Sequence, residues 1–234
     1  MNDHMKYTVI GAGNGGKSMA AHMALMGKEV TLYNRTFANI EVIAERGGID
    51  LENPGGLAGF GRLAKVTDNM QVALDGADLI MVVVPSSAHR EVAKLMAPYL
   101  QDGQIVLLHP GRTCGAIEFH QTILQEVCTT KPIIAEAETF IFASRSEGPS
   151  QARIFRIKES VPLAALPATQ NQKVLEAVHT VYPQYVNGGN VLKTGLNNMG
   201  AVFHPTITLL NAGWIETTHG DFQFYIDGVS PSVA

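Results

Sequence analysis

The chain has almost nothing that would staple a fold or sink it in a membrane. Only two cysteines, Cys114 and Cys128, stand among 234 residues, and their spacing matches no metal-ligand pattern. A zinc site is excluded, a disulfide between them has no support, and two reduced thiols are expected. No apolar run approaches the roughly 20 residues that cross a bilayer. Positive charge is scarce too: 17 Lys and Arg against 21 Asp and Glu leave a net charge of −4. That excludes the basic surface by which proteins hold nucleic acid or an anionic membrane. The opening "MNDHMKYTVIGAG" enters a strand almost at once and leaves no room for a signal peptide, so a cytoplasmic protein is expected. Internal repeats and low-complexity tracts are missing as well. What remains is 46% hydrophobic and 16% charged, an ordinary globular balance in a chain long enough for a sizeable core.

Strand and helix patterns alternate from residue 6 to about 136. "KYTVIG" (6–11) predicts a strand and "GGKSMAAHMALMG" (15–27) a helix, with Ala20, Met23, Ala24 and Gly27 on one packing face. "EVTLYN" (29–34) is a second strand, "FANIEVIAERGG" (37–48) a helix stopped by glycines, and "NPGGLAGFG" (53–61) a loop. "ADLIMVVVP" (77–85) is a near-continuous apolar strand of the kind buried on both faces of a parallel sheet. A helix at 87–100 and strands at 104–111 and 131–136 follow, then strand-like stretches 138–144 and 153–166 and a helix at 170–182. Beyond 190 the pattern is helical. The expectation is an α/β fold: a Rossmann-type doubly wound, mostly parallel sheet (1–187), followed by the start of an all-helical domain (188–234).

"GAGNGGKS" (11–18) satisfies two phosphate-binding patterns. Gly11, Gly13 and Gly16, enclosing Asn14 and Gly15, spell a dinucleotide fingerprint; Gly11, Gly16, Lys17 and Ser18 spell a nucleoside-triphosphate loop. A triphosphatase needs an acid at the end of a neighbouring apolar strand to hold Mg²⁺. The strongest strand ends in Pro85, and Glu136 is a weak candidate. A dinucleotide site needs a ribose reader about 20 residues past the glycines. There the chain has Asn34, Arg35 and Thr36. An acid would repel a 2′-phosphate, whereas an arginine suits one. The loop is therefore assigned to NADP(H), with NAD as the other candidate, and Arg35 as a plain surface residue is the bland reading. Lys17 then needs no role beyond solvation. Ligands of open α/β sheets sit beyond the carboxyl ends of the strands. That places Val84, Pro85 and Ser86, then Pro110 and Gly111, along the nicotinamide half. Ordinary turn chemistry accounts equally well for Pro110 and Gly111.

Hydride chemistry needs a proton carrier, and histidine titrates near neutrality. Of eight histidines, His204 sits in an apolar helix directly before Pro205, which should kink it. A buried polar ring needs a partner, and helical spacing favours Asn197, seven residues earlier. Spacing alone leaves His204 either catalytic or a satisfied core histidine. His109, before "PG" at a strand end, is its rival.

Together "GAGNGG", "VVVPSSAH", "LLHPG", "ETFIFASRSE", "NNMGAVFHPTITLLNAG" and "FQFYIDGVSPSV" resemble the octopine/nopaline (opine) dehydrogenase family along the whole chain. The resemblance implies an NAD(P)H-dependent reductive condensation. An α-keto acid and an amino acid form an imine, which is reduced to a secondary amine dicarboxylate. It puts the proton-relay histidine at His204 and its neighbouring asparagine at Asn198. His109 stands where the family more often carries asparagine. The family's helical domain continues further, bringing an acidic partner for the histidine and an arginine for the keto-acid carboxylate. On that comparison the chain reads as a fragment, a natural truncation, or a protein that binds cofactor without full catalysis. Apolar faces of 196–215 left uncovered suggest pairing with another chain, so a homodimer is expected. A simple 2-keto-acid or ketopantoate-type reductase and a non-catalytic NADP-binding module are the competing readings.

Overall fold

The structure, a computed structural model, describes residues 5–126, 128–197, 199–231 and 233. In chain order it contains β1 (Lys6–Ile10), α1 (Asn14–Leu25), β2 (Glu29–Tyr33), α2 (Glu41–Arg46), β3 (Gly48–Glu52), β4 (Gly59–Arg62), β5 (Lys65–Thr67) and α3 (Met70–Leu74). There follow β6 (Leu79–Val82), α4 (His89–Met96), β7 (Ile105–Leu108), α5 (Gly115–Gln125), β8 (Ile133–Ala137), β9 (Phe142–Gly148), β10 (Gln151–Ile157) and β11 (Val161–Leu166). The last elements are α6 (Asn171–Val178), β12 (Tyr185–Asn187), α7 (Val191–Leu196), α8 (Met199–Leu210) and α9 (Ala212–Thr217).

The described residues form two sheets. The larger has eight strands in the order β12-β11-β8-β7-β6-β1-β2-β5. Its pairings are parallel except between β8 and β11. Strands β6 and β7 are wholly buried, as their uninterrupted apolar runs predict. Chain order reverses between β1 and β6, so a crevice opens beyond their carboxyl ends.

The second sheet, β4-β3-β10-β9, was not expected. Its middle pair, β3 with β10, aligns Asp50 with Gln151 across a hundred residues of chain. The supposed loop 53–61 ends inside β4, and the predicted strand at 138–144 is shifted to β9. Helix α1 packs against β1 and β2 on one side and against β3, β4, β9 and β10 on the other. Consequently every residue from Gly16 to Met23 is buried, not only the expected stripe of Ala20, Met23, Ala24 and Gly27.

That double burial demands close backbone approach. A Cβ on Gly16 would lie 1.7 Å from the Gly11 carbonyl oxygen. One on Gly61, in β4, would lie 2.6 Å from the Ala21 carbonyl oxygen of α1. Gly11 itself has φ +107°, in the left-handed range that glycine adopts without strain.

Residues up to Leu196 form one compact unit and those from Asn197 a second. Helix α7, within the stretch expected to begin the helical domain, packs on β8 and β11 in the first unit. In the second unit α8 runs unbroken through Pro205. The Asn211 amide donates to the carbonyls of Ile207 (2.9 Å) and Gly228 (3.1 Å), fastening the terminal segment to α8. Leu209, Leu210, Trp214 and Ile226 are exposed.

Gly16→Ala should cost about 3 kcal/mol or more, because the Gly11 backbone must move. Gly13→Ala, whose Cβ would meet nothing within 4 Å, should stay within about 0.5 kcal/mol of the parent. Urea denaturation of the two variants checks this.

Candidate functional site

The glycine loop joins β1 to α1 where the sheet order reverses. The Gly11 amide donates to the Tyr33 carbonyl (2.8 Å), and Ala12 N–H donates to Asn34 Oδ1 (3.3 Å). The Asn34 amide in turn donates to the Thr36 carbonyl (2.9 Å). Thus Asn34, expected to face a ribose, spends its side chain holding the loop to the end of β2. Helix α1 starts at Gly13 with no side-chain cap and no acid in its first turn. Its end keeps unsatisfied donors and a positive dipole terminus, which favour an anion.

Two cavities flank Asn34 and Asn39, which line both. One, about 200 Å³, is lined on its apolar side by Ile10, Val84, Pro85, Val92 and Leu95, with Arg35 and Thr36 at its rim. It suits a flat heteroaromatic ring. Arg35 is not free within it: its guanidinium pairs with Glu91 of α4, which lines the same cavity. Ser86 is exposed and does not line it. The other cavity, about 600 Å³, lies over Gly13 and Asn14 and is closed by Lys17, Ala38, Ser146, Gly148 and Pro149.

Lys17 is not solvated as expected. It is 8% exposed, and its ammonium donates to Ser146 Oγ (3.0 Å) and the Gly148 carbonyl (2.9 Å). Burial lowers its pKa. Beside it Asn14 Oδ1 accepts from the Ser146 amide (2.9 Å), so the hairpin β9–β10 is pinned to the start of α1.

After β7 the chain meets a buried polar cluster instead of an open site. His109 is fully enclosed: Nδ1 bonds the Tyr185 hydroxyl (2.9 Å), Nε2 lies 2.9 Å from Met81 Sδ, and burial lowers its pKa to about 3. It is neutral at any working pH and is no rival as a proton carrier. Glu136 is also fully buried, accepting from Ala116 N–H (2.8 Å) and Thr194 Oγ1 (2.7 Å); burial raises its pKa. It is turned inward and is not placed to hold Mg²⁺, and among the described residues no group of three or more acidic, His or Cys side chains could hold a metal. Gly111 is needed here because a Cβ would lie 2.3 Å from Glu136 Oε2. Pro110 precedes it at the same turn. Cys114 and Cys128 are both free thiols.

In the second unit, His204 is exposed among the described residues. Its Nε2 lies 2.7 Å from the Tyr225 hydroxyl, and its ring meets Phe224 edge-on. Helix α8 starts only at Met199, so Asn197 precedes it and helical spacing does not place it beside His204. Asn198 lies outside the described residues.

Residues 6–137 match the family of the NAD-dependent glycerol-3-phosphate dehydrogenase N-terminus. Residues 187–234 match the alpha-helical domain of NAD/NADP octopine/nopaline dehydrogenase. Opine dehydrogenase of Arthrobacter sp. (strain 1C) is 40% identical over 233 residues, spanning 100% of this chain and 64% of that protein. The chain belongs, through residues 6–137, to the family of the NAD-dependent glycerol-3-phosphate dehydrogenase N-terminus, and it is similar along its whole length to an opine dehydrogenase.

The first unit carries the match to the NAD-dependent glycerol-3-phosphate dehydrogenase N-terminus. Among more distant relatives, a glycerol-3-phosphate dehydrogenase [NAD(P)+] of Afipia carboxidovorans is 30% identical over 197 residues, 81% of this chain and 57% of its own. Octopine dehydrogenase solved with NADH and L-arginine superposes with a TM-score of 0.77 at 19% identity, covering 98% of this chain and 60% of that one. Yersinopine dehydrogenase with NADP+ bound gives 0.76 at 14%, covering 100% and 61%. These two share the fold. The chain thus spans less than two thirds of the length of these relatives. No helix among the described residues is long and apolar enough to cross a membrane.

Two features escaped the sequence. Tyr225 lies in the "FQFYIDG" segment that marks the family, yet nothing local ties it to a ring 21 residues earlier. Glu91 sits on a helix 56 residues from Arg35, beyond the reach of any spacing rule.

His22, His89 and His109 all have pKa values lowered by burial. Each unfolded imidazole takes up a proton near pH 6.5 that the folded one refuses, so stability falls as pH drops below that value. For His109 the loss runs from about 6.5 down to about 3. His109→Asn should flatten the dependence by about 1.4 kcal/mol per pH unit, measured by urea unfolding from about pH 6 to about pH 4.

Proposed function

We propose that this chain is the cofactor-binding and histidine-bearing part of an NADP(H)-dependent opine-type dehydrogenase, joining an α-keto acid to an amino acid, or running the reverse oxidation. The observation that carries the reading is the 40% identity to an opine dehydrogenase along the entire chain, through both the glycine loop and the His204 helix. Residues 1–187 serve as the NADP-binding domain and 188–234 as the beginning of the helical substrate and catalytic domain. We also assign the enzyme to the cytoplasm and expect a homodimer, the second supported by the exposed Leu209, Leu210, Trp214 and Ile226.

The residues present fit a dinucleotide. Gly13 has open space where a Cβ would stand, so backbone amides can approach a diphosphate. Gly11, Gly13, Asn14, Gly15 and Gly16 would hold the diphosphate; Asn34, Arg35 and Thr36 the adenosine ribose; Val84, Pro85 and Ser86, then Pro110 and Gly111, the side leading to the nicotinamide. When bound, the cofactor supplies the two electrons and the hydrogen that reduce the imine carbon.

His204 acts as the acid and base. Condensation releases water from the carbinolamine, and an imidazolium can donate the proton that makes hydroxide leave as water. The Tyr225 hydroxyl at 2.7 Å orients the ring and holds Nε2 in place. Asn198 would hold a substrate oxygen.

NADPH oxidation should require both pyruvate and an amino acid, and His204→Asn should lower the rate by about 10²-fold or more. Initial rates with and without an amino-acid mixture check this. Turnover with keto acid alone would indicate a simple reductase. Tight NADPH binding with no turnover would indicate a binding module.

A further inference from the structure

We infer that the cavity closed by Lys17 is the seat of the cofactor's 2′-phosphate, with Lys17 as the charge that separates NADP from NAD. The inference deepens the dinucleotide reading and rests on it.

Three observations converge. First, the two cavities share Asn34 and Asn39, at the end of β2 and in the turn after it, so one nucleoside placed there faces both. The cavity toward β6 and α4 is walled by Val84, Pro85, Val92 and Leu95 and suits the base. The other is lined by Gly13, Asn14, Lys17, Asn34, Asn39 and Ser146 and is the polar one of the two. A phosphomonoester on the ribose therefore has a polar side and an apolar side to choose between, and burying it on the apolar side is costly.

Second, the charges are unevenly balanced. Arg35, the cation that the sequence pattern nominates, is already paired with Glu91. A phosphate arriving there meets a carboxylate as well as a guanidinium, so the net attraction is small. Lys17 has no carboxylate in salt-bridge range among the described residues; its partners, Ser146 Oγ and the Gly148 carbonyl, are neutral.

Third, Lys17 is more than nine-tenths buried. Its ammonium, at the wall of the cavity, has only neutral acceptors as partners, and an anion in that cavity would supply the countercharge they lack. A solvated lysine, which the spacing allows equally well, would have no such bias. The hairpin β9–β10 builds this arrangement by bringing Ser146 and Gly148 over the first turn of α1.

The test is the dissociation constant of NADP+ and of NAD+, each measured by calorimetry on the whole chain and on variants. Lys17→Gln should weaken NADP+ about tenfold or more, the loss of one charge-assisted contact, and change NAD+ less than about threefold. Ala38→Asp alters an exposed residue that lines only the polar cavity. It should likewise weaken NADP+ selectively through repulsion, and it does not touch the Lys17 tether. Ser146→Ala removes one tether and keeps the charge, so discrimination should survive. Equal weakening of both nucleotides in Lys17→Gln, or an unchanged NADP+/NAD+ ratio in Ala38→Asp, would overturn the assignment. If neither nucleotide binds the parent chain, the dinucleotide reading itself fails.

Discussion

The fold turns on the contact between Gly16 and the carbonyl of Gly11. With 1.7 Å between that oxygen and any Cβ at position 16, only glycine lets α1 lie so close to the end of β1. The closeness has two consequences. It aims the amides at the start of α1 over the crevice where the strand order reverses, and it leaves room on the helix's far side for a second sheet. Because α1 is then covered on both faces, its first turn cannot be an ordinary solvated one. Lys17 is drawn under the hairpin β9–β10, and the two together line the cavity over Gly13 and Asn14.

A second set of constraints lies at the ends of β7 and β8. Glu136 at the end of β8 bonds the amide that starts α5 and the hydroxyl of Thr194 in α7. One buried carboxyl thereby joins the sheet to the last helix before the second unit begins. His109 and Tyr185 make a similar link between β7 and β12. Such groups are tolerated inside because each polar atom has a partner, and breaking one partner leaves the other's desolvation uncompensated. In the second unit the link on which the proposed chemistry depends is the 2.7 Å contact between His204 Nε2 and the Tyr225 hydroxyl.

Much of this was legible in the residues. The runs "LIMV", "IVLL" and "IIAEA" announce buried parallel strands because a sheet covered on both faces needs no alternation. The glycines at 11, 13 and 16 announce the turn, the ligand approach and the helix contact, since each requires a missing Cβ. Strands β3 and β4, "GIDLE" and "GFGR", carry no such signature. They are short, and they become strands only by pairing, β4 with β3 and β3 with β10, across α1.

What the sequence alone determined, then, is the alternating core of the large sheet, the glycine turn between β1 and α1, and the resemblance to opine dehydrogenases, because these depend on local periodicity and on contiguous motifs. Tertiary structure decided the charge balance of the nucleotide site and the identity of the groups around each histidine. Lys17 meets Ser146, Arg35 meets Glu91 and His204 meets Tyr225 across 129, 56 and 21 residues. No local rule spans such gaps, since the energy of a buried or paired charge is set by what the fold brings beside it.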